Sequence, residues 1–571
     1  MTAQAQATPK PGAQATKDEI ERRKQYLNRW TALKQERQAW IDHWREIAEH
    51  TRPRAFRYLE SDRQTAGRKK NQKLINGKPR WALRTLAAGM MAGITSPSRP
   101  WFRFGTNDPT LNENQNVKEY LAKLEDEVRE ALAKSNIYNG LHRVYEDLGG
   151  IGTSTLYIEE DAEDGLRAYN FPVGQYALSS SDREAVDTAF REFEMTVRQL
   201  KKKFGIEKCS LNVQELERNG QLEKYVRVLH VIAPNDDFEE GKLGPKGMRF
   251  TSCWLEVAAD ENQGLLRESG YRSFPVMAPR WETTGEDVYG TSPAMDALGD
   301  CKALQLLEKR KAQIVDKIVD PPMKGPSSLS NQRVSLLPGD VTYVDGPNAA
   351  TFAPAIEINP QAAAVVAAEI QVTEGRVEKA FYADLWLLLS QSDGRMTATE
   401  VVERREEKLL QLGPVMERLQ DELLDPLLQR VLEILFATKR LPPPPRELQG
   451  RDVRIEYISI MAQAQKLLGT TAVERFTTFV GNLATAVPAA LDKLNIDTTI
   501  DEYGRMLGVP PTTIRGDDEV AQLRADRAQQ QAQAQQLAAA QAAAGTAKDL
   551  AAADTGGDNA LTTMLRGLGA Q

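Results

Sequence analysis

The chain has 571 residues, 41% of them apolar and 27% charged, with a formal net charge of −7. That is too long for one core, so several domains are expected in a folded, water-compatible chain. No run reaches the roughly 18 uninterrupted apolar residues of a membrane span, the N-terminal stretch lacks the apolar region of a secretory signal, and Cys209, Cys253 and Cys301 lie too far apart and too odd in number for a disulfide framework.

The charge is uneven. Residues 1–103 hold 22 Lys+Arg against 9 Asp+Glu, a balance of +13 that leaves −20 for the rest. A basic N-terminal part suits contact with nucleic acid or an acidic neighbour, or forms a solvated basic surface. The acidic remainder argues against tight DNA binding by most of the molecule, because tight binding neutralises many phosphates at once.

Residues 1–17, rich in Ala, Gln and Pro, read as a disordered tail. A helix is predicted from Asp18 to about Glu49, its stripe of Tyr26, Trp30, Leu33, Trp40, Trp44 and Ile47 broken only by Arg37. "WALRTLAAGMMAGI", Trp81 to Ile94, reads as a small-residue core helix that can pack closely, followed by extended chain in "SRPWFRF". From about Ile151 to Trp281 the period changes to two, in "TSTLYIEED", "AFREFEMT", "EKYVRVLHVI" and "SCWLEV". The alternation slips once between Phe190 and Phe193, and Asp164-Gly165 signals a hairpin.

A helix roughly 40 Å long is predicted from Ser292 to Val319, with Cys301, Leu304, Leu307, Ile314, Val315 and Ile318 on one side and Lys302, Lys309, Asp316 and Lys317 on the other. Pro321-Pro322 ends it. Short strands and turns follow to Ile358, and Asn359-Pro360 starts a returning helix through Val366, Ile370, Val377 and Phe381. The chain thus goes out along one helix, makes a compact module at the tip, and returns along another.

The apolar run "DLWLLL" then stops at Ser390 and a polar loop, "QSDGRM", precedes Thr397 and Glu400, which stand at capping-box spacing for a new helix. Such a loop is an ordinary surface turn or an arm presented between two helices. The next helix, to about Thr438, should kink at Gly413-Pro414 and bend again at Asp425-Pro426. "RLPPPPRE" is a stiff connector, "VRIEYISI" a strand, and helices follow from about Ala462 into the Ala/Gln-rich segment 519–544.

Chemical motifs are scarce. The sequence has no G-x-x-x-x-G-K-[ST], H-E-x-x-H or G-x-S-x-G. "EEDAEDG" has the composition of a calcium loop, but Ala162 stands where an oxygen ligand is required, and His43, His50, His142 and His230 show no ligand spacing with the cysteines. No metal, cofactor or catalytic residue is expected.

Three blocks carry a resemblance: "AGMMAGITSPSRPWFRF", "FPVMAPRWETTGEDVYGTSPAMDALGDCKALQ" and "RMTATEVVERREEKLLQLGPVMERLQDELLDPLL". In this order, and on through "IEYISIMAQAQKL", they resemble the head-to-tail connector, or portal, proteins of short-tailed bacteriophages. The resemblance implies a mainly α fold with a β-containing insert, in a subunit made of wing, stem, clip and crown. On it, 18–291 would be the wing with the insert at about 151–281, 292–319 and 359–384 the stem helices, and 320–358 the clip. Residues 385–397 would be a tunnel loop, 398–440 a kinked wing helix, 441–461 a connector and strand, 462–552 the crown and 553–571 a flexible tail.

The resemblance further implies a non-enzymatic dodecameric ring at the portal vertex of the virion, assembled in the host cytoplasm. Double-stranded DNA would pass along its axis without sequence preference. Its partners would be the terminase packaging motor, a tail adaptor, and the major capsid and scaffolding proteins, with no membrane span. A channel in which DNA slides wants few phosphate contacts. The candidates are Lys302, Lys309 and Lys317 on the stem and Gln391, Ser392, Asp393, Gly394 and Arg395 in the loop, with Lys324 and Arg333 as clip contacts. A solvated helix face or a bridge between subunits is the competing role for each lysine. An assembly scaffold, or a DNA-processing enzyme, stands as the alternative function.

Overall fold

The structure, a computed structural model, describes residues 16–54, 72–108, 111–112, 114–260, 264–321, 323–324, 353–354, 359, 361–390, 412–448, 450–451, 453–458, 473–484, 487, 493–507, 515 and 517–552. The chain divides into two compact units: 1–105 with 121–444 and 452–465, and 106–120 with 445–451 and 466–571.

The elements run α1 Lys17–Glu36, α2 Gln38–Thr51, α3 Lys78–Gly93, β1 Phe102–Thr106, α4 Gln115–Lys134, α5 Ile137–Ile151, β2 Leu156–Asp161, β3 Gly165–Asn170, β4 Tyr176–Ser180 and β5 Val186–Thr196. Then come α6 Val197–Phe204, α7 Leu211–Arg218, β6 Tyr225–Pro234, β7 Phe250–Glu256, β8 Arg267–Tyr271, β9 Val276–Met277, α8 Pro293–Asp296 and α9 Leu298–Val319. The strands β10 Met323–Lys324 and β11 Ala353–Pro354 precede α10 Gln361–Ala380, α11 Ala383–Ser390, α12 Gly413–Leu419, α13 Asp425–Ala437 and β12 Val453–Tyr457. Helices α14 (473–484), α15 Ile496–Leu507 and α16 Asp517–Ala552 complete the chain. The expected α+β class, mainly helical with antiparallel sheets inserted, is what the fold shows.

Thr16 starts α1 through a capping box: its hydroxyl accepts the Glu19 N–H at 3.3 Å and the Glu19 carboxylate accepts the Thr16 N–H at 3.0 Å. The single helix expected over 18–49 is two helices that meet at Arg37. The stripe broke there because Arg37 is buried. Its Nη2 donates to the Gly174 carbonyl at 3.3 Å and its guanidinium lies 5.7 Å from the Trp30 ring centroid.

The insert holds a five-stranded antiparallel sheet in the order β4-β5-β6-β7-β8 and a three-stranded one in the order β3-β2-β9. One face of the larger sheet packs Phe190, Leu229, Val231, Cys253 and Leu255 on Trp30 and Leu33 of α1. The other packs Phe193, Val228 and Trp254 on Val197, Leu200, Phe204, Val213 and Leu216 of α6 and α7. Both faces are covered, so Phe190 and Phe193 point to opposite cores, and this is the physical reason for the slip in alternation. Helices α6 and α7 were not anticipated. Each is eight residues long, too short to show a period, and each is held by a cap at Thr196 or Ser210. The Asp164-Gly165 hairpin forms as read, with Asp161 opposite Gly165, whose φ is +82°.

His230 is buried in this second face. It stacks on Trp254 with centroids 3.8 Å apart, and its Nε2 is 2.9 Å from Ser252 Oγ. Burial, then the charges of Lys203, Arg191 and Arg267, hold its pKa well below the ordinary 6.5. The unfolded chain regains the ordinary value and takes up a proton that the native state refuses. Stability is therefore complete above about pH 6.5 and declines as pH falls through the window between the ordinary and the lowered pKa, by up to about 1.4 kcal/mol per pH unit. Denaturant unfolding at pH 7.5 and 5.5 should show the wild type losing about 1 kcal/mol more than His230→Phe. Equal losses would show that another group carries the acid sensitivity.

In the first unit β12 pairs with β1, Ile458 N–H donates to the Trp101 carbonyl at 3.0 Å, and Trp101 stacks on Tyr457. In the second unit the Tyr503 hydroxyl bonds the Glu474 carboxylate between α14 and α15, and Arg524 of α16 grips Asp497 of α15 with two bonds of 2.7 Å. Helix α16, about 54 Å long, is exposed from Glu519 to Ala542 apart from a half-exposed Val520.

Candidate subunit-contact and nucleic-acid interface

Ser292 starts the outgoing helix. Its hydroxyl donates to the Gly150 carbonyl at 3.1 Å and accepts the Met295 N–H at 3.2 Å, and Pro293 occupies the first helical position. A short α8 passes into α9 at Ala297. Helix α9 buries Leu298, Cys301, Leu304 and Gln305 in the body, while Leu307 and Ile314 are half-buried. Val315 and Ile318, placed on the apolar side by the periodicity, are exposed, as is Val319 at the end of the helix.

Helix α10 returns beside α9 and buries Ile370, Thr373 and Val377. The base of the pair is clamped by the segment before α3. The Gln305 carboxamide oxygen accepts the N–H groups of Ile75 and Asn76 at 2.6 and 2.8 Å, and its nitrogen donates to the Asn76 carbonyl at 3.0 Å. The Asn76 side chain donates to Glu308 at 3.1 Å and Glu374 at 2.8 Å, Lys78 pairs with Glu378, and Arg376 reaches Asp300 at 3.3 Å. At the far end β10 and β11 pair antiparallel, Met323 opposite Pro354 and Lys324 opposite Ala353, so the two helices are joined through a ladder at their tip. Lys324 stands on β10. Arg333 and most of the expected module lie outside the described residues.

Lys302, Lys309 and Lys317 are exposed and fall within about 80° of arc on α9, as seven- and fifteen-residue spacings require. Lys302 pairs with Glu46 of α2, which holds the Glu46 carboxyl below its usual range. Arg310 and Lys311, beside Lys309, extend the basic run; the consecutive triplet was the signal for them. Helix α10 presents Ala364, Val365, Ala368 and Val372 to solvent, with Val365 69% and Val372 54% exposed. Val365, Ala368, Val372 and Gly375 follow three- and four-residue spacing, the pattern of a helix–helix seam.

The return helix was expected over 359–384 and the loop over 385–397. Instead the backbone turns at Tyr382, which has φ +53°, and α11 continues to Ser390. The cause is packing: Leu385 and Trp386 are buried, and Trp386 lies in a groove of α3 at Gly89 and Gly93. A Cβ on Gly93 would stand 2.8 Å from Trp386 Cζ3, and one on Gly89 would overlap the indole. Gln391, Ser392, Asp393, Gly394 and Arg395 lie outside the described residues.

Gly413 and Pro414 open α12, and what precedes Leu412 lies outside the described residues. The bend expected at Asp425-Pro426 takes the form of a π-helical turn, Gln420–Leu424. Pro426 has no N–H for the carbonyl four residues back, so the helix widens there. In that turn the Glu422 carboxylate accepts Arg280 Nη2 at 2.6 Å, Arg280 Nε at 3.1 Å and the Arg280 backbone N–H at 2.8 Å. Arg280 also donates to the carbonyls of Glu184 at 2.8 Å and Asp287 at 3.2 Å. No local pattern announced this pair.

The family model described as bacteriophage head to tail connecting protein matches residues 23–514. The portal protein of Salmonella phage epsilon15 is 44% identical over 547 residues, covering 95% of this chain and 98% of that protein. The probable portal protein of Bordetella phage BPP-1 is 43% identical over 547 residues, with the same coverage.

Proposed function

The chain belongs to the bacteriophage head to tail connecting proteins, and from that membership we propose that it forms the portal ring at one capsid vertex. Double-stranded DNA is packaged and ejected through this ring, which docks the terminase motor and afterwards the tail. The observation that carries the reading is near-full-length identity to portal proteins, 44% over 95% of the chain. The helix–tip–helix layout supports it in physical terms.

A ring repeats one heterologous contact until it closes, so each subunit needs two different adhesive faces. The Val365, Ala368, Val372 stripe of α10 and the exposed Val315, Ile318 and Val319 of α9 are apolar surfaces that a neighbouring copy would cover. In this reading α9 and α10 are the stem, the segment tied off by β10 and β11 is the clip, and α14 to α16 belong to the crown. Twelve copies would surround the DNA, with capsid and scaffolding proteins at the wing. Lys302, Lys309 and Lys317 then either face the channel or bridge subunits, and Lys302, already paired with Glu46 of its own chain, is the weakest of the three channel candidates. The ring itself performs no catalysis.

The loop Gln391 to Arg395 is the proposed arm towards DNA. Its deletion should leave ring assembly and the start of packaging intact, and capsids should then lose DNA or retain less than a full genome. Arg395→Ala should give a milder form, most evident at low salt, where phosphate contacts are least screened. Genome length and retention in mutant particles measure this, and stably retained full-length genomes in the deletion mutant would make the loop an ordinary turn.

A further inference from the structure

The strand register of the wing sheet brings together groups that are distant in sequence. Arg191 on β5 stands opposite His230 on β6, His230 opposite Trp254 on β7, and Trp254 opposite Arg267 on β8. Directly opposed residues share a face, so cation, imidazole, indole and cation form one row across four strands. Lys203 of α6 reaches over the row from outside, its Nζ 3.9 Å from the centroid of Trp254. The indole is thus held between His230 on one side and an ammonium on the other.

Arg191 is clamped between two phenyl rings, with Cζ 4.4 Å from the Phe171 centroid and 4.2 Å from that of Phe193. Its Nε is buried without a hydrogen-bond partner, and among the described residues neither Arg191 nor Lys203 has a carboxylate within ion-pair distance. The carboxylate that acts on both from further off is Glu159. Glu159 is already engaged, accepting the Tyr157 hydroxyl at 2.9 Å. Burial lowers the Arg191 guanidinium to about 10, and burial with the neighbouring cations lowers Lys203 as well.

Cations gathered on a sheet face repel one another and lose hydration, and that cost falls further when an opposite charge joins them. The row is open to such a partner at Lys203, which is exposed, and at Arg191, which is half-buried. We propose that Arg191 and Lys203 form a binding site for a compact oxyanion, a phosphate or carboxylate group. Arg191 supplies a fixed guanidinium edge, held in plane by Phe171 and Phe193, and Lys203 supplies a mobile ammonium at the entrance. The β2–β3 hairpin, which carries Glu160, Asp161, Glu163 and Asp164, disfavours a nucleic-acid strand with its many phosphates. The group comes either from a free anion or from an acidic side chain of a second copy. The site does not depend on the portal reading.

The test is a titration of the full-length protein with inorganic phosphate against chloride at matched ionic strength, reading tryptophan fluorescence and the unfolding midpoint. Wild type should show a saturable fluorescence change that Trp254→Phe removes, with a midpoint rise of about 2 °C near saturation. Lys203→Gln, at an exposed position, should weaken the apparent affinity about tenfold, and Arg191→Gln should abolish the response. Saturation in assembled and unassembled protein alike assigns a free anion. Saturation confined to unassembled protein, with succinate competing, assigns a neighbour's carboxylate. A wild-type response no larger than that of Lys203→Gln in both forms and with both anions overturns the site.

Discussion

Trp386→Ala should cost about 3–5 kcal/mol of unfolding free energy, the range for removing a large buried side chain from a site that cannot collapse around the gap. Trp386 is 5% exposed, and the groove that receives it is built from the absence of side chains at Gly89 and Gly93. The reciprocal change is more telling. In the wild type, Gly89→Ala drives a methyl into the indole, an overpacking cost of about 1–3 kcal/mol that outweighs the helix-propensity gain of about 1 kcal/mol. With Trp386→Ala already present the clash is gone and only the gain remains. The same methyl should then stabilise the chain, a reversal of sign in a double-mutant cycle. Chemical denaturation of the four proteins measures it. Equal effects of Gly89→Ala in both backgrounds would mean that the indole does not occupy the groove, and α11 would lose its anchor.

Arg280→Met should be comparably severe, about 3–5 kcal/mol, because it leaves the Glu422 carboxylate in a partly buried position without its cation. The Arg280 side chain is 7% exposed and that of Glu422 20%, so solvent screens the pair little. Glu422→Gln keeps an acceptor for the Arg280 donors and should cost less, about 1–3 kcal/mol. Combining Arg280→Met with Glu422→Leu should recover part of the loss of the first change, since no charge is then stranded. A double variant no more stable than Arg280→Met alone would assign the loss to packing and not to the unpaired carboxylate. The pair fastens the π-helical turn to the end of the β insert, and its removal should also show as faster amide exchange around Gln420–Leu424.

Much of this architecture is legible in periodicity and punctuation. The Asp164-Gly165 hairpin, the period-two insert, the proline stop after Val319 and the outgoing and returning helices all follow from local rules, and local rules act within a few residues. What escapes is set by distance. Arg280 and Glu422 are 142 positions apart, and Arg191, His230, Trp254 and Arg267 align only once four strands have taken their register. Trp386 shows both limits. The small-residue helix at Trp81 to Ile94 announces that something will pack closely against it, but nothing local names the partner, and the end of α11 is therefore easily mistaken for the start of a loop. The channel candidates stand in between: helical spacing places three lysines on one face, but only a neighbouring subunit decides what that face meets.

That neighbour is the centre of the account, and the most direct test of it is the mass of the purified protein in solution by light scattering, with negative-stain images of the same sample. The expected result is a closed ring with an axial hole and a mass many times the 63.6 kDa of the chain. A monodisperse particle of 63.6 kDa at every practical concentration and salt would contradict it.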